Sequence, residues 1–307
     1  MYFLTDEEKK HLLRYHLPRA RERGVAEELR GWNWHQPPLE PVYKDVILAL
    51  YEVANAYCPT GRDVYLRRVQ KEKGQPNVAM VRGTIFHAVV AGVIVAAKRA
   101  IYGEGVANCQ AICERIQSHP ALSLGTWVNQ LSSEDFEATT SMAEILAAFE
   151  KTRVLARIQE ILTKQPYIGE DSLVSLALPV VVEQKLDGSF IGLSPNLSTD
   201  AFVFWEPMVL DMKFDRVRNF HRLSTTGYAL VMEALYEFPV NLGCVIYGEF
   251  RGDRLIVKKD IHIISDELRQ WFVETRDEKA RLVAEEIDPG TTGECYETCP
   301  YYHVCFA

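Results

Sequence analysis

The sequence predicts a mixed α/β protein with helices in front, a small sheet in the middle and a cysteine-rich appendix. Three observations carry this. Arg82 to Tyr102 reads as one long, mostly apolar helix. Met208 to Phe214 (MVLDMKF) alternates as a strand does, and two β-like runs flank Arg251-Gly252-Asp253. Three cysteines, Cys295, Cys299 and Cys305, fall within the last thirteen residues.

In chain order, residues 6–30 are charged and helix-prone up to Gly31, and GWNWHQPPLEP is a loop rich in proline and tryptophan. Between Val42 and Tyr57, the positions Val46, Leu50, Val53, Ala54 and Tyr57 follow helical spacing. The next stretch, RDVYLRRVQKEK, carries five Lys/Arg against two acids. Beyond the long apolar helix, residues 107–165 read as helical, with breaks near His119-Pro120 and Leu124-Gly125. Leu173 to Glu183 is rich in Val and Leu, and Ser189–Leu193 and Ala201–Phe204 are short apolar runs. Arg222–Phe238 and Ser265–Glu286 read as helices around the β-like runs LGCVIYGEF and RLIVKKDIHII. The expected parts are a mainly helical 1–170, a core at 171–287 and a cysteine tail at 288–307.

The chain has 307 residues, 48% of them hydrophobic, with 34 Lys+Arg against 42 Asp+Glu and a net charge of −8. Such a balance excludes a disordered tail protein and leaves material for a large core. The acidic total argues against coating nucleic acid or anionic membrane by bulk charge. Ala88 to Ala97 is the longest apolar run, short of the ~20 residues that a spanning helix needs. Acids and lysines interrupt the opening MYFLTDEEKK, unlike a signal peptide. The expectation is a soluble, cytoplasmic protein without a membrane partner.

Seven cysteines, unevenly spread, do not fit a secreted disulfide scaffold. Three close thiols point to soft-metal ligation with a fourth ligand from elsewhere. Cys58, in AYCPTGRD, is the best candidate, since it precedes a proline as Cys299 does. Four thiolates suit a structural zinc or an iron–sulfur cluster. Cys109 and Cys113 share a helix face and, like Cys244, read as small buried hydrophobes.

The stretch GLSPNLSTDAFVFWEPMVLDMKF carries the chemistry. Asp200 begins one strand, Glu206-Pro207 suits a turn, and Asp211 and Lys213 share a face of the returning strand. Two carboxylates and a lysine on one rim are what metal-assisted phosphodiester cleavage requires. The carboxylates hold Mg²⁺ or Mn²⁺, and lysine orients water or stabilises developing charge. Charge inside an apolar strand is costly unless it is paired or bound to metal. In RGTIFHAVV, Gly83 and His87 lie on one helix face, so the helix can approach a strand at Gly83 and present His87 as a Mn²⁺ ligand. Arg216, Arg218, His221 and Arg222 surround the start of the next helix, which carries Tyr228, and suit phosphate positioning; the alternative is a solvated basic face. A second basic stretch, with Arg62, Arg67 and Arg68, is a further candidate DNA contact.

Together these strings resemble the CRISPR-associated RecB-like exonuclease family, the fourth-numbered Cas protein family, in its longer archaeal subtype. YCPTGRDVYLRRV resembles the family's first-cysteine segment, GTIFH its histidine motif, CYETCPYYHVC its terminal cysteine trio and RGWNWHQPPL a front segment of the archaeal subtype. The resemblance implies a RecB-type restriction-endonuclease-like core and a PD-(D/E)xK nuclease. It also implies a metal-dependent exonuclease on single-stranded DNA ends, expected 5′-to-3′, that trims DNA fragments for CRISPR integration alongside the integrase proteins. By position, His87, Asp200 and Asp211 become Mn²⁺ or Mg²⁺ ligands, Lys213 the catalytic lysine and Tyr228 its helix-borne companion. Cys58, Cys295, Cys299 and Cys305 become ligands of an iron–sulfur cluster, 4Fe–4S by expectation. The chain departs from the pattern at Ser224, where the family's Q-x-x-x-Y motif has glutamine, and Asp211 stands where many members have glutamate. The alternative is a catalytically weak DNA-end-binding subunit of the integration complex with a structural four-cysteine metal site.

Overall fold

The computed structural model describes residues 1–121, 127, 129–203, 207–293 and 295–306. Its first helix, α1 (Asp6–His11), starts at a capping box in which the Thr5 hydroxyl accepts the Glu8 N–H and the Glu8 carboxylate accepts the Thr5 N–H. It runs through one π-turn into α2 (Leu17–Arg23). The segment 42–57 is helical only over α3 (Leu50–Ala54), not throughout as its spacing predicts. Leu48 instead bridges Leu193 in extended form and exchanges backbone bonds with Gly192 and Ser194, which satisfies the backbone without a helix. The first basic stretch forms α4 (Arg62–Arg68).

The apolar segment is α5 (Val78–Glu104), opened by the Asn77 side chain accepting the Met80 N–H at 2.9 Å. By length and composition α5 is apolar enough to cross a membrane. In this fold Ile85, Val89, Val93, Ile94 and Ala97 are instead buried in the protein's own core. α6 (Cys109–Ser118) ends at the expected His119-Pro120 break, and α7 (Ser133–Lys164) follows; the expected break at Leu124-Gly125 lies outside the described residues. The Val/Leu-rich stretch divides between helix α8 (Glu170–Ala177) and strand β1 (Val181–Val182).

Strands β2 (Lys185–Leu186) and β3 (Leu197–Ser198) pair as a small ribbon. The main sheet adds β4 (Ala201–Val203), β5 (Met208–Lys213), β6 (Leu242–Arg251) and β7 (Arg254–Ile263) to β1, in the order β1-β4-β5-β6-β7. All pairs are antiparallel except β5 with β6, which are parallel and joined by α9 (Arg222–Tyr236). Parallel neighbours need such a crossover. β6 turns into β7 through Gly252-Asp253, with Gly252 at φ 60°, the first-position glycine that a type II′ hairpin requires. α10 (Asp266–Ala284) and α11 (Tyr302–Cys305) complete the fold.

Alternation along the strands splits the core in two. Met208, Leu210 and Met212, with Leu242, Cys244 and Ile246, pack against α5 and α7. Phe202 and Val209 face the opposite layer, where α9, α10 and α3 supply Leu230, Phe272 and Val53. The second layer is drawn tight at Gly31, where a Cβ would stand 2.0 Å from the Leu230 carbonyl of α9.

Buried at the β7 end of this layer, the His262 ring places Nε2 3.0 Å from Thr225 Oγ1 and Nδ1 3.0 Å from the Asp260 carbonyl. Burial pushes His262 down to about 4, so it enters the fold neutral. The unfolded chain binds this proton near pH 6.5 and the folded chain only near 4, so stability present above 6.5 falls away as the pH drops through that window. The loss is expected to reach roughly 3 kcal/mol. Urea midpoints between pH 7 and 4.5 check this, and His262→Gln should lessen the slope, the remainder resting on other groups such as His221; an unchanged slope would refute it.

Candidate active site and thiol cluster

Strand β5 presents Val209, Asp211 and Lys213 on one face, as the alternation predicts. The Lys213 ammonium lies 3.0 Å from Asp211 Oδ2 and donates to Oδ1 at 3.3 Å. Oδ2 is buried and, despite its nearness to the ammonium, accepts no hydrogen bond from the described residues. Asp200 precedes β4, and its Oδ2 accepts the Met212 N–H at 2.7 Å, which draws it to the same end of the sheet. Its Oδ1 lies 3.0 Å from His87 Nδ1 on α5. Four residues from three distant segments therefore meet. The hairpin residue Glu206 lies outside the described residues.

The charges hold one another in place. Burial alone would raise Asp200, but the His87 and Lys213 charges overcome it and lower this carboxyl. Burial and the neighbouring Asp200 charge raise Asp211 in spite of Lys213. Burial works to lower His87 and Lys213, and the carboxylates reverse that and raise both. Asp211, raised chiefly by burial although a lysine stands beside it, is the carboxyl of this pair that a further cation would help to hold ionised. Oxygen and imidazole donors of this kind suit Mg²⁺ or Mn²⁺. Among the described residues, no three His, Cys, Asp or Glu side chains stand gathered as a ready-made metal cage.

Tyr228 projects from α9 toward this centre, where burial and the charges of Asp200 and Asp211 raise its phenol. Its hydroxyl donates to the Ser198 carbonyl at 2.6 Å, so it props the turn ahead of Asp200. Ser224 is buried one turn earlier on the same helix. Gly83 does not mediate a close approach, because nothing lies within 4 Å of a Cβ placed there.

The arginines separate into two groups. Arg62 forms a bidentate pair with Asp288, Arg68 with Glu52 and Arg222 with Asp260. Arg67 donates to the Tyr301 and Tyr51 hydroxyls. Arg216 and Arg218 form no ion pair among the described residues. His221 is not one of the cations: burial and the nearby Lys213 charge push it down to about 4. Its Nε2 meets the Tyr57 hydroxyl and its Nδ1 the Tyr247 hydroxyl, each at 3.1 Å, while Tyr57 donates to Asp215. Sequence reading gives no role to Tyr57 or Tyr247. Nor does it flag Tyr2, whose buried phenol is raised by burial and then by Asp200 and Asp211. Lone tyrosines in loops and strands carry no pattern that reports such a meeting.

The cysteine tail folds back over residues 58–77. Gln75 N–H donates to the Pro300 carbonyl at 2.9 Å, the Asn77 amide to Thr298 at 2.8 Å and the Thr60 hydroxyl to Gly290 at 3.0 Å. Tyr301 inserts against Tyr65 and Leu66. This brings Cys58 to the terminal trio. Burial raises the Cys299 thiol, and the Cys58, Cys295 and Cys305 charges add to it, although the four thiols are not gathered as a ready-made metal cage. Each is partly exposed. Cys244, in contrast, is buried in β6.

The family model described as CRISPR-associated exonuclease Csa1 matches residues 1–307. A relative of that name from Saccharolobus solfataricus is 32% identical over 284 residues, covering 92% of this chain and 93% of the relative. Another, from Thermoproteus tenax, is 29% identical over 282 residues, covering 92% and 91%. No solved structure matches the chain. With the match running the full length of the sequence, the chain belongs to the CRISPR-associated exonuclease Csa1 family.

Proposed function

We propose that the chain is a divalent-metal-dependent deoxyribonuclease that degrades DNA from an end. The observation that carries this is the buried Asp211 carboxylate, close to Lys213 yet with an oxygen that accepts no hydrogen bond from the described residues, beside the Asp200–His87 pair. Asp200, Asp211 and His87 would hold Mn²⁺ or Mg²⁺. When bound there, such an ion polarises a phosphate oxygen and makes hydroxide available near neutral pH. Lys213 then faces charge developing on the phosphate, and Tyr228 keeps the turn before Asp200 fixed. A hairpin, a helix and a parallel strand in succession, β4-β5-α9-β6, support a RecB-type reading of the core.

Its substrate in this reading is single-stranded DNA ends, cut 5′-to-3′, and its role is to trim fragments for CRISPR integration beside the integrase proteins. The relatives' name supports a nuclease within CRISPR. Purified protein with Mn²⁺ or Mg²⁺ is expected to shorten DNA labelled at either end, with the label order reporting polarity. End binding without cleavage under any divalent ion would favour the non-catalytic subunit instead.

The four thiols would hold an iron–sulfur cluster that fastens the tail to the 58–77 segment. Protein purified without oxygen is expected to be brown and to contain iron and sulfide, and Cys295→Ala should bleach it. A colourless protein with one zinc would overturn the cluster.

A further inference from the structure

Strand register continues the catalytic rows across the sheet. Lys213 pairs with Tyr247 and Tyr247 with Lys258, while Asp211 pairs with Val245 and Val245 with Asp260. Directly paired residues share a face, and neighbouring strands lie about 4.8 Å apart. Lys258 and Asp260 therefore stand roughly 10 Å from Lys213 and Asp211 on the same side of the sheet.

Above them opens a cavity of about 290 Å³, lined by Arg218, Arg222, Tyr247, Lys258, Lys259 and Asp260 among others. Asp260 neutralises Arg222 at 2.7 and 2.8 Å, and Glu8 holds Lys259 at 2.7 Å. Arg218 and Lys258 form no ion pair among the described residues. The Arg218 Nε–H is moreover buried without a hydrogen-bond partner among the described residues. Buried donors are almost always satisfied, and an orphan of this kind marks a place for a group from outside. Two cations without ion pairs among the described residues, lining one cavity, suit a doubly accepting anion.

We propose that this cavity is a second phosphate site, holding a phosphate of the same DNA strand whose neighbouring bond lies at Asp211 and Lys213. The inference rests on the nuclease reading for its strand geometry. Anchoring one phosphate at a fixed span from the cutting centre sets the register of cleavage, so products are released in a constant length from the anchored group. The phosphate is either the terminal monoester of a strand end or an internal diester, and both present the same oxygens.

The test uses the full chain carrying Lys213→Ala, with Mn²⁺ present, and an internally labelled oligothymidylate with or without terminal phosphates. Adding Arg218→Gln is expected to weaken binding about tenfold and to lower the salt slope by about 1. Lys258→Gln, at an exposed strand position, should act in the same direction and decides the matter if the arginine variant does not fold. A loss confined to phosphorylated ends assigns the terminal monoester, and an equal loss on both DNAs assigns an internal diester. Unchanged affinity and salt slope in both variants overturn the phosphate site, even if the wild type cuts DNA. Should the wild type cut nothing while both variants lose affinity, the nuclease reading fails and the site stands.

Discussion

A Lys213→Ala chain is expected to lose DNA degradation by at least about a hundredfold while remaining folded, because it removes the cation that faces the reacting phosphate. The fold should survive for a reason visible in the site. Lys213 is partly exposed, and its carboxylate partner Asp211 is already raised by burial, so the orphaned acid takes up a proton in place of the lost ammonium. Thermal unfolding of the variant measures this, and end-labelled cleavage with Mn²⁺ measures the activity. Retained cleavage at a wild-type rate would remove the whole catalytic assignment. Retained stability with lost cleavage separates chemistry from architecture.

The largest effect on stability is expected at Glu233. This carboxylate on α9 is wholly buried and accepts from Arg269 at 2.6 and 2.9 Å and from Arg30 at 2.8 Å. It also takes the Gly31 and Val240 N–H groups, each at 2.9 Å. Five donors converge on two oxygens, tying the front loop, α9 and α10 together. A Glu233→Leu chain leaves a fully buried guanidinium at Arg269 without its counter-charge, which costs about 3–5 kcal/mol. Urea unfolding should show that loss; a change below about 1 kcal/mol would mean the layer relaxes around the cations. Replacing Glu233 and both arginines together with apolar residues should cost far less than the single change, since the penalty lies in the unpaired charge.

What the sequence made legible was periodic or local. β5 could be read from MVLDMKF because one face is buried against α5 and the other carries Asp211 and Lys213, and α5 and the Gly252 hairpin were equally plain. The convergence of His87, Asp200, Asp211 and Lys213 followed from their order, which a hairpin and a crossing helix translate into proximity. Residues 42–49 misled because apolar spacing there serves an extended bridge to Leu193 instead of a helical face. The basic stretches misled more. Arg62, Arg68 and Arg222 look free in the sequence, yet their carboxylates arrive from Asp288, Glu52 and Asp260. Pairings of that range leave no local trace, and neither does the neutrality of His221, which depends on burial and on Lys213.

The closure of residues 288–306 over 58–77 also orders events in time. Translation delivers the covered segment early and its cover much later, with α5, the sheet and α10 made in between. Domains assemble as they emerge, and contacts between distant parts of a chain are the slow ones to form. A growing chain thus possesses its carboxylates, its lysine and its sheet before the four thiols can meet. Ribosome-bound intermediates would carry the Asp211–Lys213 centre open at one side, with Tyr57 and its hold on Asp215 resting on an unfastened loop. The seal on this protein is the part manufactured after everything it seals.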